Sequence, residues 1–114
     1  MEAYRERSAR QRALLREALE EICRFASRTP SIRRIFVFGS FAKNAVGPTS
    51  DLDLLVIRET NASRWERSAD IERTVRLRVG LDITVLTPEE YRDVLPTTTF
   101  GATILAESVL AYAG

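Results

Sequence analysis

Apolar residues Leu15, Ala18, Leu19, Ile22, Cys23, Phe25 and Ala26 recur at three- and four-residue steps with charges between them, which predicts an amphipathic helix over 4–26. Ser27-Arg28-Thr29-Pro30 closes it, since proline cannot continue a helix. Ile35-Phe36-Val37-Phe38 is a short β-branched and aromatic run and predicts a buried strand that stops at Gly39. A short helix follows Gly39-Ser40, then a loop over 44–50 that holds Gly47-Pro48. The stretch 52–57 reads as a second strand. Asn61 or Ser63 is placed to cap a helix running to about 79, with Trp65, Ala69, Ile71, Val75 and Val79 as apolar members and Gly80 as its C-terminal cap. Leu81 to Leu86 alternates as a third strand. Thr87-Pro88-Glu89-Glu90 is a capping threonine with proline at the first helical position and glutamate at the third, a helix start. A last helix is expected over 99–112, apolar around much of its circumference through Ile104, Leu105, Ala106, Val109, Leu110 and Tyr112. The order α-β-α-β-α-β-α-α predicts an α/β or α+β sandwich, a small sheet covered by helices.

Length and composition narrow this further. The chain has 114 residues, which suits a single domain over 1–114. The polar start MEAYRERSARQR predicts no secretory signal, and no apolar run reaches membrane-span length. Cys23 has no internal disulfide partner, so the expected location is cytoplasmic. A formal net charge of +1 gives no strong nucleic-acid signal. The chain contains no histidine, which excludes Ser-His-Asp and Cys-His catalysis and His-ligated zinc. Catalysis would rest on carboxylates, hydroxyls, Lys, Arg, Tyr or a metal held by oxygen.

Asp51 and Asp53 carry the first chemical signal. Residues two apart on a strand share a face, so Asp51-Leu52-Asp53 sets two carboxylates side by side while Leu52, Leu54 and Val56 share the other face. Such a pair repels itself unless a cation neutralises it, and Mg²⁺ favours carboxylate, water and phosphate oxygens. The alternative is a turn cap at Asp51 and a solvated Asp53. Gly39-Ser40 lies between a buried strand and a helix start, where backbone N–H groups and a hydroxyl can take phosphate; an ordinary turn is the alternative. In Leu81-Asp82-Ile83-Thr84-Val85, Asp82 lies on the polar face, either at a metal site or in water on an edge strand.

Gly39-Ser40, ten residues, Asp51-Leu52-Asp53 and then Asp82 in a following strand resemble the signature of the DNA polymerase beta-like nucleotidyltransferase superfamily. The stretch GSFAKNAVGPTSDLDLLVI and the short length resemble its minimal nucleotidyltransferases, the MNT group. The likeness is close over about 34–86 and looser over ILAESVLAYAG, which looks like a tail helix of these proteins. It implies a small mixed sheet in a polymerase beta-like core. It implies a nucleoside triphosphate, ATP, with two Mg²⁺ ions on Asp51, Asp53 and Asp82 as catalytic and metal residues, and Gly39, Ser40 and Lys43 on the nucleotide. An acceptor hydroxyl would attack the α-phosphorus in line, with pyrophosphate leaving and Asp82 available to take the proton. The implied partner is a HEPN-type toxin, with this chain as the adenylylating antitoxin. Transfer to a small molecule and a non-enzymatic binding module are the rival expectations, and homo-oligomerisation stays open. One departure stands out: Lys43-Asn44 occupies the place where the family often has Arg-Gly. Lysine offers phosphate a point charge without a planar fork, and asparagine tolerates left-handed backbone angles.

Other residues read as structural. Cys23 lies on the apolar helix face. Arg33 and Arg34 are expected in solvent ahead of the first strand, and Trp65 as a packing anchor. Arg64, Arg67, Arg73, Arg76 and Arg78 predict a salt-bridged surface helix with Glu66, Asp70 and Glu72, or a docking face for an acidic partner.

Overall fold

In the computed structural model, which describes residues 2–75 and 78–114, the first helix is α1, Glu2–Ser27. Its buried stripe is Leu15, Ala18, Ile22 and Ala26, the three- and four-residue spacing of one helix face. Burying a leucine or isoleucine of this stripe contributes about 1.5–3 kcal/mol. The chain turns out of the helix through Arg28 and Thr29, whose N–H groups donate to the carbonyls of Phe25 and Ala26.

Strand β1, Ile32–Phe38, starts earlier than the apolar run suggested and includes Arg33 and Arg34. A register slip between Ile32 and Arg34 lets Ile32 and Ile35 both face the core although they are three apart. The two arginines therefore lie within the strand rather than ahead of it, Arg33 exposed as expected and Arg34 half-buried. Arg33 pairs with Glu59, and the Arg34 guanidinium stands 4.9 Å from the Tyr91 ring centre, a cation–π contact. Next come α2, Gly39–Ala42, and β2, Leu52–Arg58. Strand β3 is Leu81–Leu86, as its alternation predicted.

The sheet order is β3-β2-β1-β4, with β2 parallel to β3, and β1 antiparallel to both β2 and β4. This is the small mixed sheet covered by helices that the sequence led us to expect. Leu52, Leu54 and Val56 pack with the α1 stripe, Ile35, Val37, Ile71 and Val75. Leu55 and Ile57 point the other way, into a second cluster with Leu86, Leu95 and Ile104. Strand β2 is thus buried on both faces, except where Asp53 opens its second face.

The segment between β2 and β3 departs from expectation. Only α3, Ala69–Thr74, is helical, and 64–68 is a run of turns. Neither Asn61 nor Ser63 caps it; the N-cap position falls on Ser68, while the Ser63 hydroxyl donates to Glu66. Arg58 explains the break. Its guanidinium donates to both Asp70 oxygens at 2.8 Å and to the Arg67 carbonyl at 3.0 Å, so tertiary bonds take over backbone that propensity assigned to a helix. Arg67 in turn reaches Glu90. Trp65 stands 91% exposed and anchors no packing. Arg78 pairs with Glu21 of α1. Arg76 lies outside the described residues, and Gly80 caps no helix, since α3 ends at Thr74.

The predicted capping box is present. The Thr87 hydroxyl accepts from the Glu90 N–H, and the Glu90 carboxylate accepts from the Thr87 N–H, starting α4, Pro88–Asp93. A short 3-10 turn, Leu95–Thr97, then leads to α5, Thr99–Glu107. The expected helix over 99–112 is corrected here: it stops at Glu107, and 109–113 is strand β4, Val109–Ala113, at the free edge of β1. A short apolar run has no period that separates helix from strand, and the unpaired edge of β1 decides the matter. The Tyr112 hydroxyl donates to the Ala26 carbonyl at 3.2 Å and the Cys23 thiol lies 3.8 Å from the Ala111 carbonyl, which docks β4 on α1. Among the described residues no helix is long and apolar enough to cross a membrane.

Candidate functional site

The carboxylates meet where β1 ends and where β2 and β3 begin. In the antiparallel register Phe38 lies opposite Asp53, so the turn after Phe38 emerges beside Asp53. In the parallel register Asp53 lies opposite Asp82. Asp53 and Asp82 therefore share one sheet face at neighbouring positions, and Asp51 precedes Asp53 by two residues on β2's approach. Asp53 is half-buried; Asp51 and Asp82 are exposed. Strand β3 is a sheet edge, as the solvent alternative for Asp82 supposed, yet its register brings Asp82 beside Asp53.

Burial pushes the Asp53 carboxyl up from its ordinary pKa, and the charges of Asp82 and then Asp51 push it further. A half-buried acid among like charges is the arrangement a cation would relieve. As placed, no three acidic or cysteine side chains among the described residues are gathered tightly enough to hold one metal ion.

Glycines close the site on two sides. Gly39 has φ +71°, a left-handed conformation that L side chains rarely adopt, and a Cβ there would stand 2.9 Å from Asp53 Cγ. A Cβ on Gly80 would likewise stand 2.9 Å from Asp51 Cγ. Gly39 opens α2, whose first turn carries Ser40, half-buried. Asn44 takes a positive φ of 57°, the left-handed angle that made asparagine acceptable in place of glycine. Lys43 is exposed and pairs with Glu107 of α5 at 3.2 Å.

The backbone around Asp51 is tied from two directions. Gln11 of α1 donates to the Ser50 carbonyl at 2.8 Å, and the Leu52 N–H donates to the Gly80 carbonyl at 2.9 Å. Sequence reasoning found the three aspartates and the Gly39-Ser40 turn, and missed both Gln11 and Gly80. No sequence signal marks Gln11. Gly80 had one, a glycine immediately before an Asp-bearing strand, which reads as a helix cap until the register of β2 and β3 is known. A cleft of about 160 Å³ lies along the same face, with Thr84, Leu86, Thr98 and Phe100 in its wall.

Two solved structures are similar. A protein from Sulfolobus solfataricus assigned as a nucleotidyltransferase matches with 26% identity and a TM-score of 0.55, over 92% of this chain and 82% of that one. A toxin–antitoxin structure with AMP-PNP matches with 16% identity and a TM-score of 0.52, over 86% of this chain and 73% of that one, a likeness of fold alone. No curated protein matches. The family model described as "Polymerase beta, Nucleotidyltransferase" matches residues 20–109, and with the three aspartates and the Gly39 turn gathered at one end of the sheet, this chain belongs to that nucleotidyltransferase family.

Proposed function

We propose that this protein is a Mg²⁺-dependent nucleotidyltransferase of the minimal type, which moves an adenylyl group from ATP to a hydroxyl of a partner protein. The observation that carries this reading is the register that sets Asp53 beside Asp82, with Asp51 two residues away and Gly39 against Asp53. Family membership supports a nucleoside triphosphate and a divalent metal. The donor set suits such a metal, since every candidate ligand is a carboxylate oxygen and the half-buried Asp53 is strained by two like charges.

Asp51, Asp53 and Asp82 would hold the metal, two ions in all, with Asp82 closing on it by side-chain rotation, which its exposure permits. Bound there, Mg²⁺ supplies charge neutralisation for the triphosphate and a lowered pKa for the acceptor hydroxyl. The remaining roles fall to the chain. The N–H groups at Gly39 and Ser40 and the Ser40 hydroxyl bind the terminal phosphates. Lys43 adds a point charge once it leaves Glu107, a surface pair worth less than about 1 kcal/mol. Asp82, exposed on the edge strand β3, takes the acceptor proton. Positioning and charge do the work, which suits a chain without histidine.

The toxin–antitoxin neighbour supports a partner protein as acceptor; in this reading the partner is a HEPN-type toxin and this chain its antitoxin, both acting in the cytoplasm. Calorimetric titration with a non-hydrolysable ATP analogue tests the site. Wild type should bind it only with Mg²⁺, and Asp51→Asn or Asp53→Asn should weaken binding at least about tenfold. Folded protein that binds no nucleotide, or binds it equally without Mg²⁺ and with either variant, would favour a module that neutralises its partner by contact alone.

A further inference from the structure

We propose that Gly80 is a positioning residue for Asp51: the Cβ it lacks is the space that holds the Asp51 carboxylate toward the metal, an inference that rests on the metal-site reading above. Asp51 cannot give way through its backbone. The carbonyl before it is held by Gln11 at 2.8 Å, and the N–H after it donates to the Gly80 carbonyl itself at 2.9 Å. The parallel pairing of Leu52 with Leu81 continues this lock into the sheet. Across it the Asp51 side chain lies directly over Gly80. An added Cβ would stand 2.9 Å from Asp51 Cγ, closer still to Oδ1, and 3.5 Å from Oδ2. Carbon atoms pack best at about 3.5–4.0 Å, so the carboxylate must swing away on its own torsions.

Gly80 differs from Gly39 in a way that makes the idea testable. Among the described glycines only Gly39 has a positive φ, so alanine at Gly80 asks nothing unusual of the backbone. Gly80 is also exposed, and the obstructing atoms belong to the end of one side chain rather than to main chain. The substitution should therefore leave the fold intact and displace one carboxylate. The residue touches no substrate in this scheme; it acts through Asp51.

The test compares wild type, Gly80→Ala, Asp51→Asn and the double variant by thermal melting and by calorimetric titration with Mg²⁺ and a non-hydrolysable ATP analogue. Gly80→Ala should melt within about 2 °C of wild type and bind the Mg²⁺–nucleotide about tenfold more weakly. On the Asp51→Asn background it should cost less than about twofold, because the group it displaces is already lost. Three results would overturn the inference: unchanged affinity in Gly80→Ala, an equal loss on both backgrounds, or a fall in melting temperature beyond about 5 °C, which would mean that the backbone yields instead. Wild type that binds no metal–nucleotide would overturn the function reading, and this inference with it.

Discussion

Replacing Asp53 by asparagine should make the metal-free protein more stable while removing its function. Asp53 is half-buried at the start of β2, and burial, then Asp82 and Asp51, raise its carboxyl pKa. A raised acid pKa means that the native state holds the proton more tightly than the unfolded chain. Stability therefore falls as pH rises through the raised value, and ionised Asp53 opposes folding at neutral pH. Neighbouring strands lie about 4.8 Å apart. Two unit charges at about that distance repel by roughly 1 kcal/mol in a water-like medium, and physiological salt trims this. Asp53→Asn should thus gain about 1 kcal/mol, or about 4 °C in melting temperature for a chain of this size. The assay is a pair of thermal melts at pH 7 in low salt, first with chelator and then with Mg²⁺ and a non-hydrolysable ATP analogue. Ligand at ten times its Kd stabilises wild type by about 1.4 kcal/mol and a variant that binds about tenfold more weakly by only about 0.4 kcal/mol, so the variant's metal-free advantage is erased. A metal-free Asp53→Asn that melts below wild type would refute the reasoning.

Three further outcomes are expected. The Arg58 hydrogen bonds hold the Asp70 carboxyl below its ordinary pKa, so its contribution is present above the unfolded value and lost as pH falls through the native one; Asp70→Asn should cost about 1–2 kcal/mol at pH 7 by chemical denaturation, and the gap to wild type should narrow below about pH 4. Thr87→Ala removes the hydroxyl that accepts from the Glu90 N–H and should cost about 1 kcal/mol, read as a lower urea midpoint at unchanged slope. Gly39→Ala places a side chain at φ +71° and against Asp53, so it should lose at least about 1–2 kcal/mol of stability, with melting temperature as the readout.

The site was more legible in the sequence than the edges of the fold. Asp53 and Asp82 sit in strands whose alternation is local, and Asp51 lies one residue ahead of β2, so their faces follow from spacing alone. The Gly39 turn was visible because a buried apolar run ends there. Strand β1 was half hidden, since Arg33 and Arg34 interrupt its pattern at a register slip that only pairing with β2 reveals. Strand β4 has no strand signature in the sequence, because Val109 to Ala113 is apolar without a period, and its state is set by the vacant edge of β1, far away in sequence. The helix expected up to 79 failed for a related reason. Arg58 and Arg67 draw their partners from other elements, and such tertiary bonds leave no periodic trace. Gly80 shows the limit most plainly, because its neighbour is Asp51, twenty-nine positions back, and only the β2–β3 register joins them.

The central claim is that the three aspartates transfer a nucleotidyl group, and the most direct test is label transfer from ATP carrying its label on the α-phosphate. Purified wild type and Asp53→Asn would each be incubated with Mg²⁺ and a lysate of the organism that carries the protein. A labelled protein band seen with wild type and absent with the variant is the predicted result, and its mass identifies the acceptor. No label in protein, RNA or small molecules, with both forms folded, would contradict the account.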